Sequence, residues 1–203
     1  MEFSISMALV DFIPVIFYAV ASIMLQRDLY NKMSKGAFAL FAAGTLDVIF
    51  AGALKALYKL LYAAGVCDFT ALSTLFFPMQ SLGFILAGLG VLAMLTHKQG
   101  TALAAAAPPF FSGTFLFVGL MVLGLGFANA GYCVLAAKLK KRGLIPLFAL
   151  TFFCCMGMGY LSSQDFAKAS MNWLAEGINV IGQGALLIGA VKLRKAGLRE
   201  LKI

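Results

Sequence analysis

The sequence predicts an all-α integral membrane protein, a seven-span helical bundle with six spans as the alternative. Three observations predict it. Of 203 residues, 62% are hydrophobic and 12% charged, with mean hydropathy +0.95. A soluble domain carries roughly 25% charged residues. The apolar residues fall in long unbroken runs of the length that crosses a bilayer, about 20 residues. A transmembrane β-barrel would alternate instead. The Lys and Arg residues lie between those runs, where they orient the spans. The net charge of +8 is thus a topology signal, and no nucleic-acid partner is expected. The bilayer itself is the expected surrounding.

The elements follow in order. The opening stretch, MEFSISMALVDFIPVIFYAVASIML, lacks the basic start of a cleavable signal peptide. It reads as span 1, residues 7–25. Asp11, Tyr18 and Ser22 stand at i, i+7 and i+11 and form a polar stripe on it. Pro14 is a kink point. Arg27, Lys32 and Lys35 follow the span, which puts the N-terminus outside and this end of the span in the cytoplasm. Span 2 covers residues 36–61. Asp47 lies near its middle, about 16 Å from its start. Lys55 and Lys59 are near its outer end, where long side chains can reach the interface. Span 3 covers residues 72–95 and carries Pro78, Gln80, Gly83, Gly88 and Gly90. Small residues there let helices approach closely in lipid.

Residues 101–137 contain no charge, a run too long for one span and short for two. A break falls at PPFFSG, Pro108 to Gly113. With seven spans, a short fourth covers residues 99–112 and a fifth residues 115–137. With six, residues 114–137 are one helix after a loop. The seven-span layout places 13 of the 16 Lys and Arg inside, leaving Lys55, Lys59 and Lys168 outside. The six-span layout reaches only 11 to 5. Orientation follows this bias, so seven is favoured. Span 6 covers residues 144–162, SQDFAKA is an outer turn, and span 7 runs from Ser170 to Leu193. The basic tail KLRKAGLRELKI suits the inner leaflet, whose headgroups are anionic. A cell-membrane location with a cytoplasmic C-terminus is expected.

A faint repeat aligns residues 35–44 with residues 142–151, and places Gln80 opposite Glu176 and Gly88 opposite Gly184. It divides the chain into a three-helix unit (1–96), a linker segment (97–113) and a second three-helix unit (114–203). Parallel repeats of this kind occur in secondary transporters, with the site at the repeat interface.

The chemistry-bearing residues concentrate in span 7. Asn172, Glu176, Asn179 and Gln183 stand at i, i+4, i+7 and i+11, one stripe on a helix. A carboxylate in a span costs roughly 2.5 kcal/mol or more unless it faces protein or water. The stripe therefore predicts a polar interior. The candidate ligand-binding residues are Glu176, Asn179, Gln183, Asp47, Gln80, Asn129, Asp11 and Lys55. Glu176 is expected to pair with Lys55, the basic residue at a compatible depth. Asp47, deeper, should be protonated at rest or bind a cation. Asp11 should be solvated near the outer interface. The cavity is expected to open toward the outer half.

Cys67, Cys133, Cys154 and Cys155 make no CxxC or Cys/His spacing, so neither a metal nor a disulfide framework is indicated. His97 reads as interfacial and Trp173 as an outer anchor. No cofactor motif is present, and no HExxH or GxSxG pattern points to an enzyme. The expected function is a small secondary transporter or solute-binding membrane protein taking a small molecule or an ion. A seven-span receptor, sensor or accessory subunit without turnover is the alternative. An intramembrane enzyme using Asp47 and Glu176 ranks below both.

Overall fold

The computed structural model describes residues 4–96, 114–161 and 169–202, all of them helical or in short connections. The helices are α1 (Ile5–Val10), α2 (Phe12–Leu29), α3 (Lys35–Ala63), α4 (Ala71–Thr74), α5 (Phe76–Thr96), α6 (Thr114–Lys138), α7 (Ile145–Leu161) and α8 (Ala169–Lys195). Five stretches are long and apolar enough to cross a membrane: Ile5–Lys32, Lys35–Ala63, Ala71–Thr96, Leu116–Lys138 and Ser170–Lys195. The apolar helix α7 is shorter. The stretches expected as spans 1, 2, 3, 5 and 7 are helices of crossing length, and the one expected as span 6 is the shorter α7. The expected span 4, the PPFFSG break, His97, Lys98, Lys168 and most of the SQDFAKA turn lie outside the described residues.

Two prolines set the breaks. Proline lacks an N–H, so the carbonyl four residues earlier loses its helical partner. Pro14 frees Val10, where α1 ends, and Pro78 frees Thr74, where α4 ends. The first break leaves Asp11 at the joint of α1 and α2. Capping fixes the other ends. Ser34 accepts a hydrogen bond from the Ala37 N–H at 3.2 Å and starts α3, an N-cap bond typically worth about 1 kcal/mol. Gly65, at φ +68°, ends it in the left-handed conformation favoured by glycine.

The five long stretches and the shorter α7 form a closed ring. Each packs against its sequence neighbours, and α8 closes on α2. The pairings fix their directions. Gln26 donates to Thr45 at 2.7 Å, Gly44 meets Gly83, and Ala37 meets Gly90. So α3 runs opposite to both α2 and α5. Phe77 stacks edge-on with Phe117 at 6.4 Å, and Gly131 packs on Val91 and Leu95. So α5 and α6 run the same way. Tyr132 meets Phe148 at 5.5 Å, and the Thr151 hydroxyl donates to the Gly182 carbonyl at 3.1 Å, turning α7 against α6 and α8. Phe17 meets Gly184 and Asp28 faces Arg194 at 4.0 Å, so α8 runs with α2.

The ring's two ends and two halves differ. Among the described residues, Lys55 and Lys59 lie in one half, and every other Lys and Arg lies toward the opposite end. At that basic end Lys32 donates to the carbonyls of Arg199 (3.1 Å) and Leu201, tying the tail to α2. The basic half is filled by Leu25, Leu29, Phe41, Leu135, Phe148 and Leu193. The outward surface is apolar, with Ile16, Ile23, Phe50, Leu123, Phe153 and Ile181 exposed. A surface of this kind suits lipid.

Candidate functional site

Opposite the packed half, the ring encloses a cavity of about 430 Å³. Its wall draws on α2, α3, α5, α6, α7 and α8 as well as Asp11 and Ser73. All four residues of the α8 stripe, Asn172, Glu176, Asn179 and Gln183, line it. The 3.6-residue period places them there, with Leu174 and Ile181 exposed on other faces of the helix.

The centre of the site is Lys59. Its Nζ lies 2.5 Å from Asp11 Oδ2 and 3.1 Å from Glu176 Oε1. All three residues are buried, at 5%, 5% and 6% exposure. Three helical segments supply them, each within three turns of its helix end. At 1.5 Å per residue Lys59 is roughly 6 Å, Asp11 roughly 9 Å and Glu176 roughly 10 Å from their helix ends. Asp11 Oδ1 and Glu176 Oε2 are buried with no hydrogen-bond donor, as is Gln183 Oε1.

Two expectations are corrected here. Glu176 pairs with Lys59, and Lys55 instead lies over the Phe76 ring at 4.0 Å. The two lysines are one turn apart and share a helix face, so the sequence pattern alone does not choose between them. The packing of α3 against α1 and α8 does. Asp11 is not solvated, because α3 and α8 shoulder the α1–α2 joint and bury it.

The remaining candidates divide. Gln80 and Lys55 line the cavity beside Phe76 and Phe77. Asn129 lies deeper, donating to the Leu125 carbonyl at 2.9 Å beside a much smaller void that Tyr18, Cys155 and Gln183 also border. Asp47 is half-buried where α3 crosses Gly83 of α5, and it is not on the cavity wall. Lys59 was missed as a site residue. The one signal for it in the sequence is its position one turn from Lys55 on the same helix face.

An ionisable wall of both signs, with amide side chains and aromatic rings between, can hold a small polar molecule and orient it. No protein-family model matches the chain, no curated protein is similar to it, and no solved structure matches it.

Proposed function

We propose that this protein is a small secondary transporter or solute-binding membrane protein whose ligand occupies the cavity inside the ring. One observation carries the reading. A space of about 430 Å³ walled by Asp11, Glu176, Lys55 and Lys59 sits within helices whose outer faces are apolar. Ionisable groups at such depth mark substrate or ion pathways, and the volume falls in the range of small-molecule sites, roughly 300–1,000 Å³.

The seven-span layout belongs to the same reading. Thr96 ends α5 at one end of the ring, and Thr114 starts α6 at the other. The 17 residues between them (97–113) therefore connect opposite ends of the ring, as a fourth crossing requires. The basic end is the cytoplasmic end, which leaves the N-terminus outside and the cavity in the outer half. The ring order supports two three-helix units. Between α2 and α5 sits α3, as α7 sits between α6 and α8. Gly88 packs on Gly124 of α6, as Gly184 packs on Phe17 of α2. Parallel repeats place substrate sites at the repeat interface.

Purified protein in proteoliposomes tests the reading with a panel of labelled amino acids, organic acids, amines and sugars. Gradient-driven uptake of one of them establishes transport. Saturable binding without flux establishes the receptor or accessory-subunit alternative, which the packed inner half also supports. Absence of both uptake and binding for every solute removes the ligand-binding reading altogether.

A further inference from the structure

The buried charges narrow the ligand's chemistry, given the solute-binding reading above. Asp11 and Glu176 both touch the Lys59 ammonium, so the two carboxylates are close neighbours. Each leaves one oxygen buried, out of contact with water and without a donor. A buried carboxylate oxygen without a donor is costly, and two carboxylates sharing a site do not both ionise freely. One proton held between them would supply the missing donor and remove the repulsion. The three groups Asp11, Lys59 and Glu176 then sum to zero.

Lys55 remains. Among the described residues no carboxylate lies within ion-pair distance of it, and its ammonium rests on the Phe76 ring. The other titratable side chains on the wall are Tyr18 of α2, Tyr58 of α3 and Cys155 of α7, and α5 and α6 contribute none. With such a proton in place, the cavity carries one uncompensated positive charge. Around it stand Phe76, Phe77 and Phe84, with Gln80 as a hydrogen-bonding neighbour.

We propose that the cavity binds a small organic anion, its carboxylate on Lys55 and its apolar body against Phe76, Phe77 and Phe84, while Asp11 and Glu176 share one proton across Lys59. Lys55 is half-buried on the cavity wall, and the anion supplies the carboxylate that no described residue places within ion-pair distance of it.

Three probes of one shape and different charge test this on the purified full-length protein: phenylacetate, phenylacetamide and phenethylamine, titrated calorimetrically. Phenylacetate is expected to bind at least about tenfold more tightly than the other two. Lys55→Gln removes that preference without altering the fold. Glu176→Gln imitates the protonated pair. It strengthens phenylacetate binding by no more than about threefold. Were both carboxylates ionised in the parent, this variant would add a net positive charge and strengthen binding about tenfold or more. That result overturns the shared proton. Equal or tighter binding of the amide or the amine overturns the anion assignment, as does a preference that survives Lys55→Gln. Failure of phenylacetate alone, with another solute of the wider panel bound in the cavity, overturns the anion assignment and leaves the solute-binding reading standing. Failure of every solute overturns both.

Discussion

Lys59 Nζ and Glu176 Oε1 lie 3.1 Å apart although 117 residues separate them in the chain. The contact joins α3 to α8 across the ring, and Asp11, at the α1–α2 joint, completes it at 2.5 Å. A buried ammonium with two carboxylates behaves differently from one with a single partner. Removing one carboxylate leaves the other in place. Asn at 11 or Gln at 176 should each lower stability by about 1 kcal/mol, near the value of one hydrogen bond. The double variant Asp11→Asn/Glu176→Gln strands the ammonium and should cost roughly 3–5 kcal/mol. Thermal melts of the four proteins in detergent measure the coupling. Additive losses would show that the carboxylates do not share Lys59.

The contact was only partly legible in the sequence. The α8 stripe was legible, because a 3.6-residue period with polar positions in an apolar run has one structural meaning. So were the five long apolar helices, because their length and composition match the bilayer. The choice between Lys55 and Lys59 was not, because they occupy one face one turn apart and only the packing of α3 on α1 and α8 separates them. Asp47 looked like a site residue because it is an acid in mid-span. Its neighbour across the interface is Gly83 of α5, a relation between helices that no local pattern encodes.

Asp47→Asn should therefore leave ligand binding unchanged within about twofold, while Lys55→Gln should not. Calorimetric titration of both variants with phenylacetate checks this. A loss of binding in Asp47→Asn would move the site toward the α3–α5 contact.

Close helix approach at the α3–α5 interface can be tested through its glycines. A Cβ built on Gly83 would sit 2.7 Å from the Gly44 carbonyl oxygen and 2.8 Å from Val48 Cγ2, whereas one on Gly119 meets nothing within 4 Å. Gly83→Ala must push α3 and α5 apart, an overpacking cost of roughly 1–3 kcal/mol. Gly119→Ala should be neutral or slightly stabilising, since alanine favours the helix by up to about 1 kcal/mol. Melting temperatures of the two variants should move in different directions, and equal shifts would contradict the packing.

Parallel α5 and α6 make a labelling prediction that separates seven spans from six. Cys67, exposed beyond α3, and the α6–α7 connection at Lys140 should face opposite sides of the membrane. In a background retaining Cys67 or carrying Lys140→Cys as its sole cysteine, an impermeant maleimide should label the first from outside and the second from the cytoplasm. Labelling of both from one side is the six-span result.

The central claim is that the polar stripe of α8 faces an aqueous cavity enclosed by the ring. Asn179 lines that cavity, and Ile181, two residues on, is 57% exposed on the outward surface. Cysteines placed singly at 179 and 181 in a cysteine-free background, with protein reconstituted in vesicles, should react differently with a charged methanethiosulfonate reagent, which modifies only water-facing thiols. The account predicts rapid modification at 179, slowed by bound ligand, and none at 181. Modification at 181 with protection at 179 would turn the stripe to lipid and contradict it.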